Sequence, residues 1–320
     1  MINHVSARVA FLWALAFATP ASATEPARVV ATIKPIHSLV AAVMQGAGAP
    51  RLLIGGGASP HAYSLKPSDA RALQNADVIF WVGRDLETFL EKPLTALPKT
   101  ARVVELAAAP GMTLLHSRAN GFRDEPLHAE GGQDGTEHTD HPGSQGGSDM
   151  HVWLDADNAR AIVRATVAAL IAADPDRAEV YRGNGERTQT RIVALDQALR
   201  SELAPLAGRP YIVFHNAYRY LEHRYGLTPV GSITMSPDRQ PSARRVAAIR
   251  ARIASRQAVC IFSEPQFDPA LLKTVTEGTS IRVGVLDAEG GIEVPPGPEA
   301  YFAIMRNIGD SLKACLGPAT

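Results

Sequence analysis

Short runs rich in valine and isoleucine alternate along the chain with stretches whose apolar positions recur at helical spacing. In the first half the runs lie at 29–33, 51–54, 77–82 and 102–105. In the second they lie at 211–215, 228–231, 258–263 and 282–286. Their apolar character is nearly continuous rather than alternating, which is the pattern of strands buried on both faces. Between them, 67–75, 86–96, 242–255 and 270–277 read as amphipathic helices. The last is well bounded, with Asp268 placed as N-cap, Pro269 at the first helical position and Gly278 just past the end. Strand–helix alternation with short loops predicts an α/β protein of two lobes, each holding a four-stranded, mainly parallel sheet flanked by helices. The segments 76–83 and 258–264 echo one another in pattern, a weak sign of duplication.

A longer helical signal joins the halves. Residues 158–173 are rich in Ala, Ile and Val at helical spacing, and after Asp174-Pro175 the pattern resumes over 176–203. As one helix the second stretch would span about 40 Å, although Gly183 and Gly185 each weaken its start by about 1 kcal/mol against alanine. The boundaries that follow are a first lobe over 24–173, a linking helix over 174–204 and a second lobe over 205–320. One segment departs from the pattern. Residues 117–149 carry Gly, Asp, Glu, Ser and Pro with almost no large apolar side chains, too little buried surface to offset the entropy of ordering, so a mobile acidic loop is expected there. It holds His128, His138 and His141, with His116 at its edge.

The N-terminus adds a compartment. Arg8 precedes a ten-residue apolar run, and small residues in an A-x-A arrangement follow up to Ala23. This is the layout of a cleavable secretory leader over 1–23, and the run is too short for a bilayer core that needs about 20 residues. No cysteine stands at the cleavage site, so no lipid anchor is expected. Without Arg8 the chain keeps 31 basic against 32 acidic residues, a balance that gives no reason to expect nucleic acid or an anionic membrane surface as partner. Of the two cysteines, Cys260 and Cys315, an isolated pair in an oxidising compartment reads as a disulfide, with two buried free thiols as the alternative. Their wide spacing, with no nearby histidine, argues against thiolate ligation.

Three of the ten histidines stand where an α/β architecture places ligands, at or beyond strand ends. His61 follows the run 51–54 through a Gly-rich loop, His151 lies where the acidic segment returns to regular chain, and His215 ends the run 211–215. Neutral imidazole suits zinc, and three leave a fourth position open. Their spacing is no local motif, and each taken alone reads more often as a hydrogen-bonded structural histidine than as a ligand. His37 and His223 are placed on that structural side, and His4 leaves with the leader.

Specific motifs change the weight of that reading. Gly57-Ala-Ser-Pro-His-Ala-Tyr-Ser-Leu-Lys-Pro-Ser-Asp69, Asp149-Met-His-Val-Trp-Leu154 and Val213-Phe-His-Asn-Ala-Tyr-Arg-Tyr-Leu-Glu222 resemble the zinc-binding component of bacterial high-affinity zinc ABC importers, the ZnuA type. Ser263-Glu-Pro-Gln-Phe267 and Gly278-Thr-Ser-Ile-Arg282 resemble it too, and the likeness runs in order from about Val29 to Cys315. It implies two α/β lobes bridged by a long helix, with Zn2+ between them as transported ligand. His61 and His151 would come from the first lobe and His215 from the second. It further implies a Cys260–Cys315 disulfide, a charged His-rich loop at 117–149, a periplasmic monomer without a membrane anchor, and an inner-membrane permease as partner. Manganese-type relatives carry a carboxylate at the third position, so His215 favours zinc. Some zinc members have a glutamate just before the first ligand, where this chain has Pro60. The fourth ligand is therefore left among water, Asp287 and a loop histidine.

Capture and delivery without chemistry is the leading expectation. Three histidines with a bound water are also the plan of a catalytic zinc site, for which Glu264 and Asp287 would be the proton-handling candidates, but no motif assembles them. Metal-dependent adhesion is a third reading on which the residues are silent. Because protonated imidazole cannot ligate, metal affinity should weaken as pH falls through the histidine range.

Overall fold

The computed structural model describes residues 25–98, 100–118, 147–234, 240–255 and 257–318. The expected leader, His4, and the loop histidines His128, His138 and His141 lie outside the described residues. The first half runs β1 (Val29–Ala31), α1 (Lys34–Met44), β2 (Arg51–Leu52), α2 (Pro67–Gln74), β3 (Val78–Trp81), α3 (Glu91–Thr95) and β4 (Arg102–Glu105). Then come α4 (Ala156–Ala173) and α5 (Ala178–Leu203). The second half follows as β5 (Pro210–Val213), α6 (Arg219–Tyr225), β6 (Thr228–Ser232), α7 (Ala243–Ala254), β7 (Cys260–Ser263), α8 (Pro269–Thr276), β8 (Arg282–Val285) and α9 (Ala300–Leu316). Both sheets are wholly parallel, in orders β2-β1-β3-β4 and β6-β5-β7-β8. Each strand lies within two residues of its predicted bounds.

Three details differ from the sequence expectation. Every residue of β1 and β3 is buried, but β4 and β8 are edge strands, and Val103, Val283 and Val285 reach solvent; a valine-rich run does not tell a central strand from an edge. The helix expected over 86–96 is a 3-10 turn at Thr88–Leu90 followed by the short α3, because Pro93 offers no N–H for a helical bond. The helix α9 was not anticipated at all.

The long helix is present, and one of its glycines has a reason. A Cβ on Gly185 would lie 2.5 Å from Val167 Cγ2, so the close crossing of α4 and α5 requires a residue without a side chain. α5 packs against α4, α1 and α9 and so touches helices of both halves. Caps start the neighbours: Asp155 accepts from the N–H groups of Asp157 and Asn158 at the head of α4, and Asp268 from Ala270 at the head of α8. One large apolar core runs through both halves, while a second, smaller one lies between the second sheet and α7–α8, around Ile212, Ile249 and Ile261. The disulfide Cys260–Cys315 forms and ties β7 to α9. Among the described residues no helix is long and apolar enough to cross a membrane.

Candidate metal centre

All three predicted histidines stand on short, tightly bonded turns at the carboxyl ends of the sheets. His61 sits in a 3-10 turn, Pro60–Ala62, whose first N–H bonds reach the Ser59 hydroxyl. His151 precedes the turn Val152–Leu154, and His215 follows β5 directly. Parallel sheets open a crevice at this end, and here the crevices of both sheets meet.

The rings converge. His61 Nε2 and His215 Nε2 each lie 3.3 Å from His151 Nε2, and the three nitrogens lie within 4.8 Å of one another. Two carboxylates set the tautomers. Asp149 Oδ1 accepts from His151 Nδ1 at 2.8 Å and from the His151 backbone N–H at 2.9 Å. Glu264 takes His215 Nδ1, at 2.8 Å to one oxygen and 2.7 Å to the other. A carboxylate only accepts, so Nδ1 carries the proton in both rings and Nε2 presents a lone pair. Nitrogens that face one another across 3.3 Å are placed to share a cation. Ligands at zinc–nitrogen distances of about 2.0–2.1 Å in a tetrahedron stand about 3.3–3.4 Å apart, which two of the edges match. The donor set of three neutral imidazoles is also the one zinc favours over manganese.

Two of the three rings are buried. His151 and His215 are each 5% exposed, and Trp153 and Phe267 pack on their rings at 5.4 and 5.8 Å between centroids. His61 is driven to a pKa of about 2, first by burial and then by His151 and His215 beside it. Burial thus favours the neutral form of this ring.

The other sequence candidates fall elsewhere. His37 is buried and bonds through Nε2 to the Pro50 carbonyl at 3.1 Å, His223 is exposed, and His116 pairs with Ser148 in a short antiparallel bridge. Among the described residues the cluster takes in no carboxylate. Asp287 Oδ1 is committed to Gln266 Nε2 and to the N–H groups of Glu289 and Gly290. The sequence reading gave Asp149 no role and offered Glu264, with Asp287, only as a proton-handling candidate of the enzyme alternative. The signal was available: a carboxylate two residues before a ligand histidine is placed to bond its Nδ1. It also missed the anchoring of the acidic segment's two roots on α6. Arg118 donates to Asn216 and to buried Glu222, while the Tyr220 hydroxyl donates to the Asp149 carbonyl at 2.6 Å.

Two all-parallel sheets with three converging imidazoles between them define a two-lobe α/β binding protein with room for a small ligand at the joint. The fold is shared by the periplasmic zinc binding protein TroA from Treponema pallidum, at a TM-score of 0.74 and 22% identity over 91% of this chain and 99% of that one. Zinc-bound AdcA from Streptococcus pneumoniae matches at a TM-score of 0.69 and 24% identity over 91% of this chain, which spans 58% of AdcA's length. In sequence, the high-affinity zinc uptake system protein ZnuA of Brucella abortus is 41% identical over 333 residues, 99% of each chain. The profile of the family "Zinc-uptake complex component A periplasmic" matches residues 29–315, and the chain belongs to that ZnuA family.

Proposed function

We propose that this chain captures Zn2+ in the periplasm with His61, His151 and His215 and hands it to the membrane permease of an ABC-type importer. The observation that carries the reading is the set of three Nε2 atoms facing one another, two of them held proton-free by Asp149 and Glu264. Family membership supplies the physiological context. The division into a first lobe over 24–173, a linking helix over 174–204 and a second lobe over 205–320 fits two ligands from one lobe and one from the other. Residues 1–23 act as the leader, removed after Ala23, and the mature protein works as a monomer.

The fourth position is taken by water, since Pro60 has no donor and one Asp287 oxygen is already bonded three times over. The protein acts as a carrier rather than an enzyme, a reading supported by its family and by the commitment of Glu264 to His215. The test is calorimetric titration of the chelator-stripped mature protein with zinc, alongside the triple variant H61A/H151A/H215A. One tight site in the native protein and none in the variant is expected. Tight binding that survives in the variant would move the site elsewhere.

A further inference from the structure

Lys34 carries a buried charge that zinc ligation does not explain. It opens α1 in the first lobe and is 6% exposed. Burying an ammonium costs several kcal/mol unless its surroundings answer it. Here the answer comes from the other lobe. Its Nζ donates to the carbonyl of Gly290 at 2.8 Å and to that of Gly291, with Asp287 and Glu289 close enough to offset part of the burial.

The receiving loop is shaped for this contact. Asp287 Oδ1 accepts from the N–H groups of Glu289 and Gly290, which turns the chain after β8, and from Gln266 Nε2, which ties that turn to the loop after β7. Gly290 and Gly291 sit at φ of 80° and 34°. A Cβ on Gly290 would fall 2.8 Å from Ile304 of α9 and 3.3 Å from Lys34 Cδ, so backbone and space both demand glycine. A second donor from the first lobe grips the same loop: Trp153 Nε1 bonds the Ala288 carbonyl at 2.9 Å, from the ring that packs on His151. Two donors of one lobe thus end on one loop of the other, at the carbonyls of Ala288, Gly290 and Gly291. Only Lys34 does so without touching a ligand histidine.

We propose that Lys34 is a positioning residue for zinc retention: by holding the 287–291 loop against the first lobe, it keeps His215 in register with His61 and His151 and slows release of the metal. The proposal rests on the three-histidine reading. A ligand held between two lobes leaves when they part, and the Lys34 bonds must break for that to happen. Uptake onto separated lobes does not require them, so the effect falls on the off-rate.

The experiment loads the mature protein with zinc, mixes it with an excess of a chromogenic chelator and follows release for wild type, Lys34→Met and Lys34→Arg. Lys34→Met is expected to release zinc about 10-fold faster or more, with the association rate within about 2-fold and the thermal midpoint of the apo-protein unchanged. Lys34→Arg, which keeps charge and donors, restores slow release. Equal release rates for wild type and Lys34→Met overturn the proposal. So does faster release that comes with a lowered apo midpoint and is not rescued by arginine, since that marks a scaffold residue. Should Lys34→Met fail to fold, Lys34→Gln carries the same expectation. A wild type that takes up no zinc in the loading step refutes the three-histidine reading itself, an outcome distinct from equal release rates.

Discussion

The two lobes repeat one sheet topology and yet are built to different tolerances. In the first, β1 and β3 are buried throughout and join the large core that continues into α1, α4 and α5. In the second, one face of the sheet joins that same core, but the other meets α7 and α8 over a small separate cluster. The three converging histidines divide in the same way. The first lobe contributes two imidazoles, the second one, and each lobe supplies a carboxylate to a ring of its own. The difference teaches that His215 stands where two packed layers meet: Phe214 beside it belongs to the small cluster, and Phe267, which packs on its ring, lies against that cluster too.

Substitution of ligands tests whether the lobes share the site equally. His151→Ala or His215→Ala alone is expected to weaken zinc binding roughly 1,000-fold or more, about 4 kcal/mol, measured by competition with a chelator of known affinity. If removing the single ligand of the second lobe left affinity intact, the site would belong to the first lobe alone. Removing the disulfide as Cys260→Ser/Cys315→Ser should cost up to about 4 kcal/mol in denaturant unfolding, for a bridge across 55 residues of sequence. That loss should fall on the second lobe, and an equal loss of amide protection in α1 and α4 would show that the lobes unfold as one unit.

The orienting carboxylates give a finer comparison. Asp149→Asn and Glu264→Gln should each lower zinc affinity about 10–100-fold, because an amide can donate to Nδ1 as well as accept from it, so the tautomer is no longer enforced and the ring loses its charged partner. A marked inequality would show that one lobe's ring is preset and the other is positioned by the metal. Acidification acts through His61 in the first lobe. Its folded pKa of about 2 lies far below the value near 6.5 of an unfolded histidine. The unfolded chain therefore binds the extra proton, and apo-protein stability, present above about pH 6.5, falls as pH drops toward the folded value. Thermal midpoints at about pH 7.5 and 5.5 should differ less in His61→Gln than in wild type. The smallest effect expected is on exchange: α7 and α8 should lose amide protection before α1 and α4, through local opening of the small cluster.

Much of this architecture was readable beforehand. Eight valine- and isoleucine-rich runs became eight strands, because local propensity and burial agree in a parallel sheet. Asp268 and Pro269 marked a helix start correctly, since a cap is a matter of adjacent residues. His61, His151 and His215 were legible through the motifs around them. The exposure of β4 and β8 was not, because edge position depends on which strand comes to lie beside which. Helix α9 was missed, as its role is to close a core assembled by residues far earlier in the chain.

What the sequence by itself determined, then, is the inventory: strands, helices, their alternation, the cysteine pair, and imidazoles at strand ends. These follow from chemistry acting over a few residues. Only the tertiary structure decided which atoms face each other. His61 and His151 are 90 residues apart, His151 and His215 are 64 apart, and Lys34 meets Gly290 across 256. Separations of that size carry no local signal, so the 3.3 Å contacts between nitrogens, the use of Glu264 to orient a ring and the grip of Lys34 on the opposite lobe arise from packing alone.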